Sequence, residues 1–449
     1  MNRLPLLHSI AHLAVTAIVL IFFFSWPVLA AAGEIAPDAA ATDFSIRDFL
    51  TGNWGGARDR LKNSGIRVGL NYTSETMFNI AGGEKRGGTY ADNIGLEFRF
   101  DLAKLVGIPR TMFLVKLSQH DGDSVSTRFI APSQGGNAFP VQEVYSGQLF
   151  KLVNVQFTTR LADDRLDLAY GRLVANDDFL RSDLYCQFVN NSFCGSPKPA
   201  FLQKPFTFTA YPSATWGARA AFDTPSRNWT FQAAVYDGDP EGRRGDPAGE
   251  NQNLHGTWWG LGSNGVTLAG ELHYHVHRGS ASALPGVYKI GGFYMTGRFQ
   301  DLSRTGNATT TGDALVWLLA DQMLLRESPG DKRGLSAFGT LVLSLTDKTN
   351  PMTSYFSAGF VYEGLFRVRP RDRTGLAVTT GWFGSEYKNG LAAAGLETKS
   401  HEAVIELNHL FLVGRGIGIG PDIQYIIRPA GTGTISDALA VGVKVSVDF

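Results

Sequence analysis

Three histidines occupy alternate positions in ELHYHVHR, residues 271–278. On a strand, His273, His275 and His277 share one face, and imidazoles are common metal ligands. Same-face neighbours on a strand stand about 7 Å apart, too far for a compact site without other ligands. They read better as part of a polar wall. The loop DGDPEGRRGDPAGE (237–250) opens like a calcium loop, with Asp237, Asp239, Glu241 and Gly242 in the first, third, fifth and sixth places. Its twelfth place is Ala248 where a bidentate glutamate belongs, so it reads as a solvated outer loop. His120, Asp121, Asp123 and Ser124 lie close together and carry hydrolase chemistry by type. No G-x-S-x-G, H-E-x-x-H or phosphate loop accompanies them. The residues therefore point to a non-enzyme without metal or cofactor. Cys186 and Cys194, in LYCQFVNNSFCG, are the two cysteines. In an oxidising compartment they form a disulfide that pins a long loop; a metal pair is the competing reading, and no histidine lies nearby.

Residues 1–32 supply that compartment. Arg3, the apolar run Leu13 to Phe24 and the small residues Ala30-Ala31-Ala32 have the layout of a secretory signal peptide. The alternative is a signal anchor, but the run falls short of the roughly 20 apolar residues that a membrane helix needs. No long apolar run follows; the richest stretch is LVWLLA at 315–320. Among 449 residues, 41 are basic and 41 acidic, so neither nucleic acid nor another polyanion is an expected partner. The length alone would allow two or three domains. No linker or shift in composition offers a boundary, and one large all-β unit is the better reading.

Period-two alternation recurs along the chain. It predicts strands near 67–80, 92–102, 110–119, 148–161, 165–173, 213–223, 227–237 and 264–277. Further strands are predicted near 286–300, 313–326, 333–346, 353–367, 372–384, 400–413, 417–428 and 436–449. That makes about sixteen strands of about 10–14 residues, against a usual mean near 5–6 and the 9–11 of a tilted strand crossing a bilayer. Short and long connections alternate, as in outer-membrane barrels, and an even strand count leaves both termini on the short-turn, periplasmic side. The expected fold is an all-β transmembrane antiparallel barrel. It divides into a signal peptide (1–32), a periplasmic segment with a short helix (33–66) and the barrel (67–449). Within NWGGARDRLKNS (53–64), Asn53 caps the helix and Gly65 ends it. Trp54 and Leu61 either plug the mouth or belong to a mere tether.

Alternation also assigns faces. Val155, Phe157 and Leu161 face lipid in the fourth strand, Trp216, Ala218, Ala220 and Phe222 in the sixth, and Leu268, Leu272, Tyr274 and Val276 in the eighth. Trp216, Phe222, Trp229 and Tyr425 suit interfacial girdles. The terminal DALAVGVKVSVDF places Leu439, Val441, Val443, Val445, Val447 and Phe449 outward, with Lys444, Ser446 and Asp448 toward a wet interior.

Several segments resemble the carbohydrate-selective porins of the OprB family. They are LTGNWGGARDRLKNSGI (50–66), AVYDGDPEG (234–242), LPGVYKIGGFYMTGRF (284–299), LADQMLLRE (319–327), DKTNPMTSYFSAGFVYEGLF (347–366), PDIQYIIRPAG (421–431) and the terminal segment. The resemblance implies a sixteen-stranded barrel in the outer membrane of a Gram-negative bacterium that passes glucose and related sugars. It also implies that the terminal aromatic, Phe449, is read by the outer-membrane assembly machinery. A sugar channel needs carboxylates and guanidinium groups that grip vicinal hydroxyls, and aromatic rings for C–H faces. Affinity must stay weak enough for release. Glu97, Arg99, Lys116, Arg160, Arg219, Glu271 and Glu406 fall on inward faces. Glu143 and Tyr145, in QEVYSGQLF (142–150), lead from a long loop into a strand at the expected constriction. The rival readings are a general or ion-selective porin, an outer-membrane hydrolase barrel, and a plugged, nonconducting structural or adhesive barrel.

Overall fold

The computed structural model describes residues 49–449 except 195–197, 201–207, 245, 247, 248, 281 and 305. The expected signal peptide, the segment before Phe49 and Ala248 lie outside the described residues. Sixteen strands close into one antiparallel barrel. They are β1 (Ile66–Ala81), β2 (Gly87–Asp101), β3 (Thr111–Gly122), β4 (Leu149–Leu161), β5 (Leu166–Leu173), β6 (Thr215–Asp223), β7 (Trp229–Asp237) and β8 (Val266–Val276). Then follow β9 (Gly286–Gln300), β10 (Thr309–Arg326), β11 (Gly334–Ser344), β12 (Met352–Glu363), β13 (Arg373–Phe383), β14 (His401–Leu412), β15 (Ile417–Ile427) and β16 (Ala438–Asp448). Among the described residues four short α-helices accompany them: α1 (Ala57–Asn63), which precedes β1, α2 (Leu102–Val106), α3 (Ala175–Asp178) and α4 (Ser385–Ala393). The strands fall within a few residues of the alternation pattern, because a side-chain period of two is strongly enforced where the two faces meet different surroundings.

Those surroundings are inverted relative to a water-soluble barrel. Phe231, Leu268, Ile290, Leu318, Phe360, Leu376, Ile405 and Ile423 point outward and are exposed. Glu75, Glu271, Glu402, Glu406 and Gln424 point inward and are buried. An apolar outer band around a polar interior is the solution for a wall facing lipid, where closure also satisfies every ladder and leaves no edge. Phe222, Trp229 and Tyr425 are exposed outward as expected, whereas Trp216 lies under Trp259, ring centroids 5.5 Å apart.

β16 closes the barrel on β1 through a register running from Asn71↔Asp448 to Ala81↔Leu439. Within it Lys444 stands opposite Glu75 on the inner face, and Val443 is exposed on the outer. At Gly82 (φ +65) a Cβ would lie 1.6 Å from the Asp437 carbonyl, so this tight turn beside the seam admits no side chain.

The amino-terminal segment fastens the same seam. Its helix begins at Ala57 rather than at Asn53, because Gly55 and Gly56 adopt left-handed conformations between them. Asn53 still caps from a distance: its Oδ1 accepts from Asp59 N–H at 3.1 Å. Gly65 ends the turn at φ +96. Trp54 remains exposed, and Leu50 N–H donates to the Asp448 carbonyl at 2.8 Å. Arg58 is its anchor. The guanidinium lies 3.8 Å from the Phe49 ring and 4.1 Å from the Trp54 ring, and Nη2 donates to the Phe449 main-chain oxygen at 2.7 Å.

Connections at the end that carries α1 are short, such as 162–165, 224–228 and 413–416. At the opposite end the loops 123–148 and 174–214 turn into the barrel. β5 is only 8 residues long because the chain leaves the wall at Leu173. The loop between β7 and β8 fills part of the gap: Leu152 N–H donates to the His255 carbonyl at 3.0 Å, and Arg172 donates to the Gly256 carbonyl.

Replacing Arg58 by alanine removes the two-ring stack and the bond to Phe449, a loss of about 2 kcal/mol. The folded barrel of Arg58→Ala is expected to convert to the slower-migrating unfolded form at a lower temperature on an SDS gel. An unchanged conversion temperature would show that the latch contributes nothing.

Candidate functional site

A chain that leaves the sheet and enters the lumen carries amide groups that must find acceptors. Carboxylates of the wall provide them. Glu402 on β14 accepts from Ala138 N–H at 2.8 Å, Phe139 N–H at 2.7 Å and Asn137 Nδ2 at 2.9 Å. Glu406, two repeats of the pleat further on, accepts from Val189 N–H at 2.6 Å and Asn190 N–H at 3.0 Å. Glu271 on β8 accepts from Leu180 N–H at 3.1 Å and Trp317 Nε1 at 2.5 Å. Glu75 on β1 accepts from Val144 N–H at 3.3 Å. The two loops also bind each other, Glu143 N–H donating to the Val189 carbonyl at 2.9 Å.

Apolar packing completes the attachment. Phe188, Phe193 and Tyr185 meet Phe338 of β11, and Phe208 stacks on Phe293 of β9 at 5.0 Å. Phe139 meets Tyr355 of β12 at 6.0 Å. These rings make the inner wall of β9–β12 locally apolar, which accounts for LVWLLA: Val316 and Leu318 face outward while Leu315, Trp317 and Leu319 are buried beneath the loops. Cys186 and Cys194 are disulfide-bonded within the inserted loop.

Channel-facing groups remain where the loops do not cover the wall. Glu97 binds Arg99 on its own strand and stands 3.7 Å from Lys116 Nζ on β3; all three are partly exposed. Lys116 Nζ lies 5.6 Å from the ring centre of Tyr211, and Tyr211 Oη donates to Asn93 Oδ1 at 3.1 Å. Arg160 Nε is 3.3 Å from Asp167, and Arg219 bridges Asp167 and Asp178, the latter at 3.1 Å. Burial raises the Asp178 carboxyl above the ordinary range, opposed by the Arg219 charge beside it. Glu143 receives Lys444 Nζ at 2.7 Å. Gln187 of the inserted loop donates to Asn408 Oδ1 at 2.8 Å. Tyr145 is half-buried.

Two expected channel residues are placed otherwise. Glu271 and Glu406 face inward but are buried beneath the inserted loops, because amides and the Trp317 indole claim their oxygens. The 237–250 loop also differs from a solvated one. Asp239 and Glu241 are buried, since carboxylates of this loop accept from its own backbone: Asp237 from Asp239 and Gly262, Asp239 from Arg243. The histidines go separate ways, His273 to Glu271, His275 to Thr230 and His277 to the Leu284 carbonyl. His120 is buried against the Val144 carbonyl at 2.7 Å, while Asp121 bonds the Gly122 amide and Asp123 pairs with Arg128.

Sequence reasoning passed over Glu75, Glu402, Tyr211, Asp167 and Asp178. For Glu402 the alternation would have served, since it shares the inward parity of Glu406, whereas Glu75 and Asp167 are found only through the ladder, opposite Lys444 and Arg160. Tyr211 and Asp178 lie on an inserted loop, and no local periodicity marks which loop residues return to the channel.

The chain matches the description "Carbohydrate-selective porin, OprB family" over residues 85–449. It is 28% identical to Porin B of Pseudomonas aeruginosa over 91% of this chain and 93% of that one. A putative porin, QuiX, of Acinetobacter baylyi is 25% identical, covering 95% of this chain and 99% of its own. Among solved structures, the high-pH form of OprB from Pseudomonas putida superposes with a TM-score of 0.80 at 26% identity, over 90% of this chain and 99% of that one.

Glu406→Ala deprives two amides of a charged acceptor, a loss of about 3 kcal/mol in the loop attachment. The variant barrel is expected to fold yet show a larger, noisier single-channel conductance in planar bilayers. A conductance equal to that of the unaltered protein would mean the loops hold without this carboxylate.

Proposed function

The chain belongs to the OprB family of carbohydrate-selective porins, and on that premise we propose that it passes glucose and related carbohydrates by weak, stepwise binding where the inserted loops narrow the lumen. It is a sugar-selective porin of the Gram-negative outer membrane, and its family and fold point to a channel rather than an enzyme. In this reading the first 32 residues direct export and are removed, and Phe449 presents the closing strand to the assembly machinery.

The observation that carries the mechanism is the set Glu97, Arg99, Lys116 and Tyr211. Two cations share one carboxylate next to an aromatic ring, on a wall that water reaches. A pyranose can place vicinal hydroxyls on the carboxylate and a guanidinium while an apolar C–H face rests on the ring. Each of these partners is already bonded within the protein. A sugar therefore exchanges one hydrogen bond for another, which keeps net affinity low and exit fast. Arg160, Arg219, Glu143 and Tyr145 offer further steps of the same kind. Transport needs no energy source beyond the concentration gradient.

Liposome swelling with the purified protein tests this. Glucose is expected to enter faster than neutral or charged amino acids of similar size. Glu97→Ala and Tyr211→Ala should each weaken that preference about threefold to tenfold. Equal rates for every solute would identify a general pore and end the sugar-binding reading. Absence of swelling from a correctly folded sample would restore the enzymatic barrel as the rival.

A further inference from the structure

The lower wall carries an excess of positive charge that neutral sugars do not require. Arg67 on β1 stands directly opposite Arg99 on β2 in the ladder, on the inner face, since Glu75 and Glu97 share their parity. Like charges in direct cross-strand opposition are destabilising, so their placement calls for a compensating partner. Glu97 is already divided between Arg99 and Lys116. Among the described residues, the Arg67 guanidinium has no hydrogen bond or ion pair, and the residue is exposed. The nearest other carboxylates on this face are committed or remote. Asp101 caps α2 by accepting from Ala103 N–H, and Asp448 lies four residues up β1, opposite Asn71. Three cations, Arg67, Arg99 and Lys116, therefore share this face with two carboxylates, Glu97 and the helix-capping Asp101, which leaves a net positive charge.

We propose that Arg67, Arg99 and Lys116 form a binding site for the carboxylate of a polyhydroxy acid, so that the channel passes sugar acids as well as neutral sugars. The polyol part of this inference rests on the carbohydrate reading above. The anionic part rests on the charge placement alone. The Arg67 fork matches a carboxylate in two parallel hydrogen bonds, and Arg99, held in place by Glu97, stands across the ladder to share it. Glu97 keeps the site from accumulating enough charge to trap a dianion, and its free lone pairs accept from a neighbouring hydroxyl. A water-filled lumen screens the attraction, so binding stays weak enough for passage.

Planar-bilayer recordings under a potassium chloride gradient, paired with liposome swelling in gluconate, glucose and glucose 6-phosphate, test the proposal. The unaltered protein is expected to prefer chloride to potassium and to admit gluconate at least as fast as glucose. Arg67→Glu, at an exposed position outside the glucose-binding set, should cut gluconate entry and the anion preference about fivefold while leaving glucose entry unchanged. A cation-preferring channel, gluconate entry slower than glucose, or an Arg67→Glu variant with unaltered gluconate entry would each overturn it. Faster entry of glucose 6-phosphate than of gluconate would overturn the carboxylate assignment in favour of a dianion. Gluconate entry without a preference for glucose over amino acids would sink the neutral-sugar reading and leave only the carboxylate site of this one standing.

Discussion

A backbone that leaves a sheet and enters a barrel takes with it amide groups that no ladder serves, and the barrel must answer them from its wall. In this protein the answer is ionic. Glu75, Glu271, Glu402 and Glu406 each direct carboxylate oxygens at loop amides. Removing a charge from water is costly, and the cost is offset only when several donors converge on it. Four loop donors, from Asn137, Ala138, Phe139 and Ala430, converge on Glu402 and two amides on Glu406.

The wall therefore performs two tasks along its height. Where loops lie against it, the inner face is aromatic and aliphatic, as at Phe293, Trp317, Phe338 and Tyr355. Where it stays bare, it is charged and wet, as at Glu97, Arg99 and Lys116. The outer face carries an apolar band around its middle, where it meets lipid. β5 shows the consequence of inserting a loop early: the strand ends at Leu173, and residues around His255 pair with β4 in its stead. Insertion at one position demands repair at another.

Charge in the bare region is distributed in shared bonds. Asp167 serves Arg160 and Arg219, Glu97 serves Arg99 and Lys116, and Lys444 lies between Glu143 and Glu75. Groups that share partners can release one bond to a passing hydroxyl without becoming bare. Such exchange suits a conduit better than a receptor, whose unpaired groups would hold their ligand.

Much of the fold was legible because a membrane barrel is written locally. The strict alternation from Leu439 to Phe449 and its counterparts along the chain determined strand number, direction and facing, since each residue meets either lipid or the interior. The inward parity of Arg99, Lys116, Arg160 and Arg219 followed from the same rule. The fate of Glu271 and Glu406 did not follow from it. Their parity is that of Glu97, yet they are buried under chain more than 90 residues distant, and nothing near them in sequence distinguishes a carboxylate that meets water from one that meets an amide. Tyr211 was hidden for the same reason, returning to the channel beside Lys116 from a loop without periodicity. By itself the sequence determined the barrel, through a two-residue period imposed by two solvents. Only the tertiary structure decided which wall residues stay open to the channel, because long-range loop insertion sets that and leaves no local pattern.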